Sequence, residues 1–336
     1  MRIERVLIRK LRALRDRDDR LVGLDGKIFS AVCLRGLNGS GKTTYLDAIG
    51  ELWQWFRRCT KERRHVRPHD GSLLLEADLF AVLFTGLPGP RPRMWVAWGR
   101  PDAIASLPDA GDSPYTLAAG EVEWDPPVLA FWETIMERAS AGMDPKDWPP
   151  NIVSIEAERK YVPDLRPDDL TDPRPTPAFL PRARYVAEAR NATHLEGLLR
   201  TLFLARRERW DLLAAWVGKL RPGLSMLDRF DESTQRPLFR LATGETLMAN
   251  RLSAGERSLL INLCMVLRWL GPGGIVLIDE PELHLHISLM RSSLAVTETI
   301  ISEDFGGQLI VASHAPDVWS HFRHSGALLD LEGTGA

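Results

Sequence analysis

Apolar positions along this chain alternate between a strand rhythm and a helix rhythm. Ile3, Val6, Ile8 and Leu11 predict an opening strand, and the run 27–34, with Ile28, Val32 and Leu34, predicts a second that feeds a helix over about 44–56. Between 72 and 98 the runs shorten to Leu73-Leu74-Leu75, 79–84 and 94–98. Turn clusters at Gly86, Pro88, Gly89 and Pro90 and at Gly99 and Pro101 separate them, which reads as an antiparallel sheet. Residues 120–124 are a candidate for one more strand. A helix is expected over 128–141, then 144–181 is dense in proline and reads as a loop or linker. Residues 195–220 read as one strong helix with Arg200, Arg206, Arg207 and Arg209 on a basic face. From Leu238 strand character returns. A helix then runs from Ser253 to about Leu270, a buried strand over 274–278, a helix over 283–301 and buried strands over 309–312 and 327–331. No internal repeat is visible. The parallel-strand units lie in the first 60 and last 100 or so residues. The expected division is therefore 1–60 and 238–336 as two halves of one α/β head, with 61–127 as an antiparallel β lobe and 128–237 as a helical, Pro-rich insertion.

Composition narrows this picture without redirecting it. A chain of 336 residues, 44% hydrophobic, can bury a full core. Its 43 basic and 45 acidic residues give a net charge of −2, so no global basic field announces nucleic acid. Locally, Arg57, Arg58, Lys61, Arg63, Arg64 and Arg67 face a single acid, Glu62. They read either as a solvated helix end or as a phosphate-backbone surface. Cys33, Cys59 and Cys264 are far apart and form no C-x-x-C pair, which fits a reducing compartment. No apolar run of membrane-spanning length and no signal-peptide pattern appears, so a cytoplasmic protein without membrane attachment is expected.

The candidate chemistry begins at Gly36-Leu37-Asn38-Gly39-Ser40-Gly41-Lys42-Thr43, which fits G-x-x-x-x-G-K-[ST] between a strand and a helix. Such a loop rings nucleotide phosphates with backbone N–H groups while Lys42 meets the outer phosphates and Thr43 holds Mg²⁺. Asp279 ends the apolar run 275–278, where a carboxylate can reach Mg²⁺, and Glu280 follows, placed to polarise a water attacking the γ-phosphate. The plainer alternative is two acids capping the next helix. His314 follows the apolar run 309–312. It reads either as a structural histidine or as a residue that contacts the γ-phosphate and reports its loss. Ser253 and Glu256 make S-x-x-E before an apolar-periodic helix, a capping box, and with Gly255 also an anion-accepting helix start. That start cannot serve the same nucleotide as Lys42 without duplication, so it is expected to meet a second molecule's γ-phosphate. The group Asp279, Glu280, Glu282, His284 and His286 could be read as a transition-metal centre, but no cysteine or distant His pattern supports that.

These residues resemble the ABC-type ATPase heads of the SMC, RecF and OLD group, especially small bacterial ATPases of the "AAA family" with the wording Ile278-Asp-Glu-Pro-Glu-Leu-His-Leu-His286. The matching stretches are 36–43, 252–256, 278–286 and 313–316, and similarity spans 1–60 and 238–331. The resemblance implies a P-loop NTPase fold that binds ATP and Mg²⁺. Gly36, Asn38, Gly39, Ser40, Gly41, Lys42, Thr43 and Thr44 would hold nucleotide, and Thr43 and Asp279 the metal. Glu280 would be the general base, His314 the γ-phosphate switch, and Ser253, Gly255 and Glu256 would act in trans across a homodimer or a higher oligomer.

The departures from that pattern are specific. Gln54, Gln235 and Gln308 are the three glutamines, and none falls where the family's Mg²⁺-contacting Q-loop would lie. Ala254 and Glu256 replace a Gly and a Gln, Ile287 a proline, and Ala315 a serine. The insert is too short for a long coiled coil and has no zinc hook. The stretch after His314 is too short for the nuclease of OLD-type proteins. The expected function is an ATP-driven switch in bacterial defence that controls a separate effector, a nuclease or toxin. A DNA-repair ATPase of RecF type, holding nucleic acid on its basic segments, is the alternative.

Overall fold

A computed structural model describes residues 1–64, 66–108, 126–159, 161, 179–185, 194–323 and 327–332. The expected strand at 120–124 lies outside the described residues. In chain order the elements are β1 (Arg2–Arg9), β2 (Arg17–Arg20), β3 (Ala31–Arg35), α1 (Lys42–Glu62), β4 (Leu79–Thr85), β5 (Arg93–Gly99), α2 (Pro101–Ala105), α3 (Pro126–Ser140), β6 (Ile152–Ile155) and β7 (Arg182–Arg184). They continue with α4 (Leu195–Ala205), α5 (Arg207–Leu220), β8 (Leu224–Phe230), β9 (Pro237–Leu241), β10 (Thr246–Met248), α6 (Ala254–Trp269), β11 (Ile275–Asp279), α7 (Ile287–Thr299), β12 (Gln308–Ser313), α8 (Pro316–Arg323) and β13 (Leu328–Asp330).

Six strands form the central sheet in the order β13-β3-β12-β11-β6-β7, and every neighbouring pair is parallel. Parallel sheets are covered on both faces, which is why β11 and β12 are apolar and buried almost throughout. Successive residues divide between the faces. Val32, Leu34, Ile275, Leu277 and Ile310 pack with Tyr45, Ile49, Trp53 and Phe56 of α1. Cys33, Val276, Ile278, Leu309 and Val311 pack with α4, α5, α6, α7 and α8 through residues such as Leu198, Trp210, Leu263 and Phe322.

A four-stranded antiparallel sheet, β2-β1-β4-β5, lies against α1 and shares its core through Val6, Phe80 and Val82. The buried Gln308 side chain fastens it to the central sheet. Its Oε1 accepts from Ile3 N at 2.7 Å and its Nε2 donates to Ile3 O at 3.2 Å and Phe29 O at 2.9 Å. A third sheet, β10-β9-β8, is a small antiparallel one.

Four expectations about the elements change. The proline-dense stretch 144–181 is not a bare linker, because it contains β6, the neighbour of β11 in the core sheet. Pro149 and Pro150 deliver the chain to Asn151, which ties the strand down. Its Nδ2 donates to Leu180 O and Trp269 O, and its Oδ1 accepts from Gly271 N. Leu73–Glu76 is a short 3-10 turn rather than a strand, because Ser72 caps it and Glu51 accepts from both Ser72 Oγ and Leu73 N. The helix expected over 195–220 breaks at Arg206, with φ −145° and ψ 57°. The helix expected from Leu283 starts only at Ile287, after His284 takes a left-handed φ of 67° and His286 caps.

The basic segments also differ from their reading as surfaces. Arg57 is 1% exposed and its guanidinium stacks 4.4 Å from the Trp132 ring centroid and 5.2 Å from that of Trp53, so burial lowers its pKa to about 9. Arg58 and Arg64 pair with Glu62, and Arg63 with Glu133. On α4 and α5, Arg206 stacks on Trp148, Arg207 pairs with Asp211, and Arg209 donates to the end carbonyls of α6 at Leu267 and Leu270. Arg57, Arg206 and Arg209 are thus engaged inside the molecule, Arg58, Arg63, Arg64 and Arg207 pair at its surface, and Lys61 and Arg67 stay exposed.

Candidate functional site

The phosphate loop sits between β3 and α1, at the C-terminal edge of the central sheet. Gly39 and Gly41 take φ of 84° and 94°, a region closed to most side chains. Gly41 also admits Leu14, whose Cδ2 would lie 2.8 Å from any added Cβ. As N-cap of α1, Gly41 supplies no side-chain bond, so the first N–H groups of the helix stay open at its positive end. Lys42 is 6% exposed, and its Nζ donates to Gly36 O at 2.8 Å and Leu37 O at 2.9 Å. The ammonium therefore bends back over the loop.

Thr43 Oγ1 donates to Asp279 Oδ2 at 2.6 Å across 236 residues of sequence. The other carboxylate oxygen, Asp279 Oδ1, is buried with no hydrogen-bond partner. Burial raises the Asp279 pKa, with the neighbouring Glu280 adding to the rise while Thr43 and Lys42 oppose it. A buried carboxylate oxygen without a partner is costly, and a divalent cation would supply what it lacks. The residues fit Mg²⁺ on that ground. The cleft beside them is lined by Thr43, Asp47, Ser154, Glu156 and Asp279, so the end of β6 forms its far wall. Arg182 holds that wall to α1, donating to Asp47 at 2.7 Å and Ser154 Oγ at 3.0 Å.

Glu280 leaves β11 with φ 46°, a left-handed conformation that costs a non-Gly residue on the order of 1 kcal/mol. The turn brings its carboxylate to His314, whose Nδ1 lies 3.2 Å from Glu280 Oε1 and 3.5 Å from Glu282 Oε1. Glu282 Oε1 also accepts from Ser313 Oγ at 2.6 Å, and that hydroxyl accepts from Ala315 N at 2.9 Å. Strand β12 thus aligns its last residues with the exit of β11.

Sequence reasoning missed Arg159, which follows β6. Its side chain is 6% exposed and reaches across to the exit of β11, donating from Nη2 to Asp279 O at 2.9 Å and Glu280 O at 3.3 Å. Nη1 donates to Glu280 O at 3.2 Å and to Ser258 Oγ of α6 at 3.3 Å. Burial lowers its pKa to about 10, against the pull of Asp279, Glu282 and Glu280. Only the carboxylate pattern at the end of the neighbouring strand could have hinted at a buried cation here.

The stretch Leu252 to Glu256 is elsewhere and differently satisfied. Ser253 caps α6: its Oγ accepts from Glu256 N at 3.2 Å and donates to Glu256 Oε2 at 2.9 Å, and Ser253 N donates to the same oxygen at 2.9 Å. Arg221 holds Glu256 Oε1 at 2.9 Å. A Cβ on Gly255 would meet His284 O at 2.8 Å, so only glycine lets the two loops touch. The structure therefore brings Lys42, Thr43, Asp279, Glu280 and His314 to one sheet edge, while Ser253 and Glu256 bond each other and Arg221. His286 caps α7. Among the described residues no group of three or more His, Cys, Asp or Glu is arranged to hold a metal on its own, and no helix is long and apolar enough to cross a membrane.

The family described as "AAA domain, putative AbiEii toxin, Type IV TA system" matches residues 199–318, which include the Ser253 loop, Asp279, Glu280 and His314. Among solved structures the chain is similar to the Smc head domain of Pyrococcus furiosus bound to the C-terminal domain of ScpA. That match has 13% identity, 95% of this chain and 91% of that one covered, and a TM-score of 0.45. It is also similar to a dimeric ATP-binding cassette in a post-hydrolysis state with ADP and Pi, at 14% identity, 95% and 90% coverage and a TM-score of 0.40. No curated protein matches the sequence.

Proposed function

We propose that this chain, a P-loop ATPase head of ABC type, binds and hydrolyses ATP with Mg²⁺ and uses the cycle to open and close a homodimer with two nucleotides between its heads. The observation that carries this reading is the meeting of Thr43 and Asp279 at 2.6 Å beside the orphaned Asp279 Oδ1, with Lys42, Glu280 and His314 around them. Lys42 exchanges two loop carbonyls for phosphate oxygens, the open N–H groups of α1 cradle the phosphates, and Thr43 and Asp279 hold the metal. When bound, Mg²⁺ neutralises phosphate charge and orients the terminal phosphoryl group. Glu280 accepts the proton of the attacking water, and His314 contacts the γ-phosphate from the neighbouring strand end. Ser253, Gly255 and Glu256 complete the site of the second molecule, which agrees with their bonding apart from their own molecule's Lys42 and Asp279.

The cytoplasmic switch controlling a separate effector is the fuller form of this proposal. It is supported by the matched family's description, which names a toxin and a toxin–antitoxin system. The RecF-like reading is less favoured, because Arg57 and Arg206 stack on aromatic rings and Arg58 and Arg64 pair with Glu62, which leaves Lys61 and Arg67 as the exposed cations of the first segment outside such pairs. The test is the mass in solution of the Glu280→Gln chain with and without ATP and Mg²⁺, repeated with a short duplex DNA. Turnover should fall about 10³-fold and the mass should double with ATP. Normal hydrolysis by this variant would remove Glu280 as the base, a mass indifferent to ATP would remove the sandwich, and DNA joining the dimer would restore the repair reading.

A further inference from the structure

Arg159 is a buried cation that spends its hydrogen bonds on backbone carbonyls, although three carboxylates lie near it. The two carbonyls belong to Asp279 and Glu280, whose side chains are the proposed metal ligand and base. Burying a guanidinium in this way is unfavourable unless what it fixes matters, since an apolar side chain would fill the volume at less cost. What it fixes is the turn in which Glu280 adopts φ 46°. That turn has few other restraints: Glu280 N donates to Ala312 O at 2.8 Å, and Leu283 N donates to Glu280 O at 3.1 Å. The remaining guanidinium bond goes to Ser258, a buried residue on the second turn of α6, the helix that starts at Ser253.

We infer that Arg159 is the positioning residue of the hydrolytic step: it holds the Asp279–Glu280 backbone in its working turn, and through Ser258 it makes that hold depend on the helix that docks on the second molecule's nucleotide. The inference rests on the ATPase reading above. A shift of α6 on docking moves Ser258 against the guanidinium, and the guanidinium moves the carbonyl of Glu280. Each chain's base is thereby tied to whether its own Ser253 loop is engaged. Arg is suited to this task because its planar fork meets two carbonyls and a hydroxyl at once, which a lysine ammonium cannot match in geometry.

The test uses the full chain with Arg159→Ala, Arg159→Lys and Ser258→Ala, reading steady-state kcat and KM, equilibrium binding of a fluorescent ATP analogue, and thermal melting. Arg159→Ala is expected to lower kcat about 10²-fold with analogue affinity unchanged. Guanidinium chloride at millimolar, non-denaturing concentration should then restore part of kcat, and it should not do so for Glu280→Gln. Arg159→Lys should fall between, and Ser258→Ala should lower kcat several-fold without changing affinity or melting. If Arg159→Ala does not fold, the other two variants carry the test. Wild-type kcat in both Arg159→Lys and Ser258→Ala, or a loss of affinity in step with kcat and no guanidinium rescue, overturns the inference. A wild-type chain that turns over no ATP overturns the ATPase reading itself and this inference with it.

Discussion

Two helix starts in this molecule face anions in opposite conditions. At α1 the N-cap is Gly41, which gives the helix no side-chain bond, and the surroundings are left incomplete: Asp279 Oδ1, Glu282 Oε2 and Ser40 Oγ are buried without partners. At α6 the cap itself is satisfied, with three hydrogen bonds between Ser253 and Glu256 and Arg221 closing the second carboxylate oxygen. Unsatisfied buried polar groups are rare in folded proteins because each costs about 1–3 kcal/mol. At the α1 start three such atoms surround an open helix end and the Thr43–Asp279 pair, which fits a place completed by a ligand. The start of α6 is finished without one, so it can only contribute exposed backbone N–H groups or a hydroxyl that must turn away from Glu256. In the proposed reading, one end is built to be filled and the other to dock.

The sharpest break in this comparison comes from Lys42→Ala. Removing the one ammonium at the unfinished end should lower ATP affinity at least about 10²-fold, read by equilibrium binding, while the fold and the α6 cap stay intact. Retained affinity would mean that the loop's N–H groups alone hold nucleotide. Asp279→Asn sharpens it next. The pKa of Asp279 is raised in the folded chain, so its protonated form stabilises the fold at low pH, and that share is lost as pH rises through the raised value. At neutral pH the ionised carboxylate is a burden on the ligand-free protein. Asp279→Asn should therefore raise the ligand-free melting temperature by about 2 °C, abolish the further gain from ATP with Mg²⁺, and flatten the decline toward neutral pH. A melting temperature that falls in the variant would show that the Thr43 bond outweighs the buried charge.

How legible each end was follows from where its information lies. The phosphate loop, the apolar run before Asp279 and the S-x-x-E of α6 are local signals, and each was readable because the chemistry needs residues close together in sequence. The core strands β3, β11 and β12 were readable as continuous apolar runs. Strand β6 was hidden by its setting: four residues, Ile152 to Ile155, among Pro145, Pro149, Pro150 and Pro163, are too few to outweigh the prolines. Strand β2, Arg-Asp-Asp-Arg, was hidden because its hydrophobic content is nil; Arg17 and Asp19 are buried as an ion pair at 2.9 Å. With β6 unseen, Arg159 had no place beside Asp279. The basic patches misled for a related reason, since an arginine's spacing does not reveal whether an aromatic ring or a helix end will absorb it.

At the finished end the expected effects are smaller. Ser253→Ala removes the cap of α6 and should cost about 1 kcal/mol of stability, leave ATP binding by the isolated chain unchanged, and weaken ATP-dependent doubling of mass. If doubling survives intact, the hydroxyl is only a cap and docking falls to Gly255 and the backbone. The smallest effect should come from Arg58→Ala with Arg64→Ala. Both guanidiniums pair with Glu62 at the surface, so stability should move within about 0.5 kcal/mol. The informative measurement is retention on duplex DNA as a function of salt. A phosphate-binding surface that loses two contacts should flatten its log–log slope by about 2, whereas side chains committed to Glu62 should leave any slope where it was. A flattened slope would mean that Glu62 gives up its arginines when DNA arrives, and the contrast drawn here between a ligand-seeking α1 start and a self-contained remainder would have to extend to the far end of the same helix.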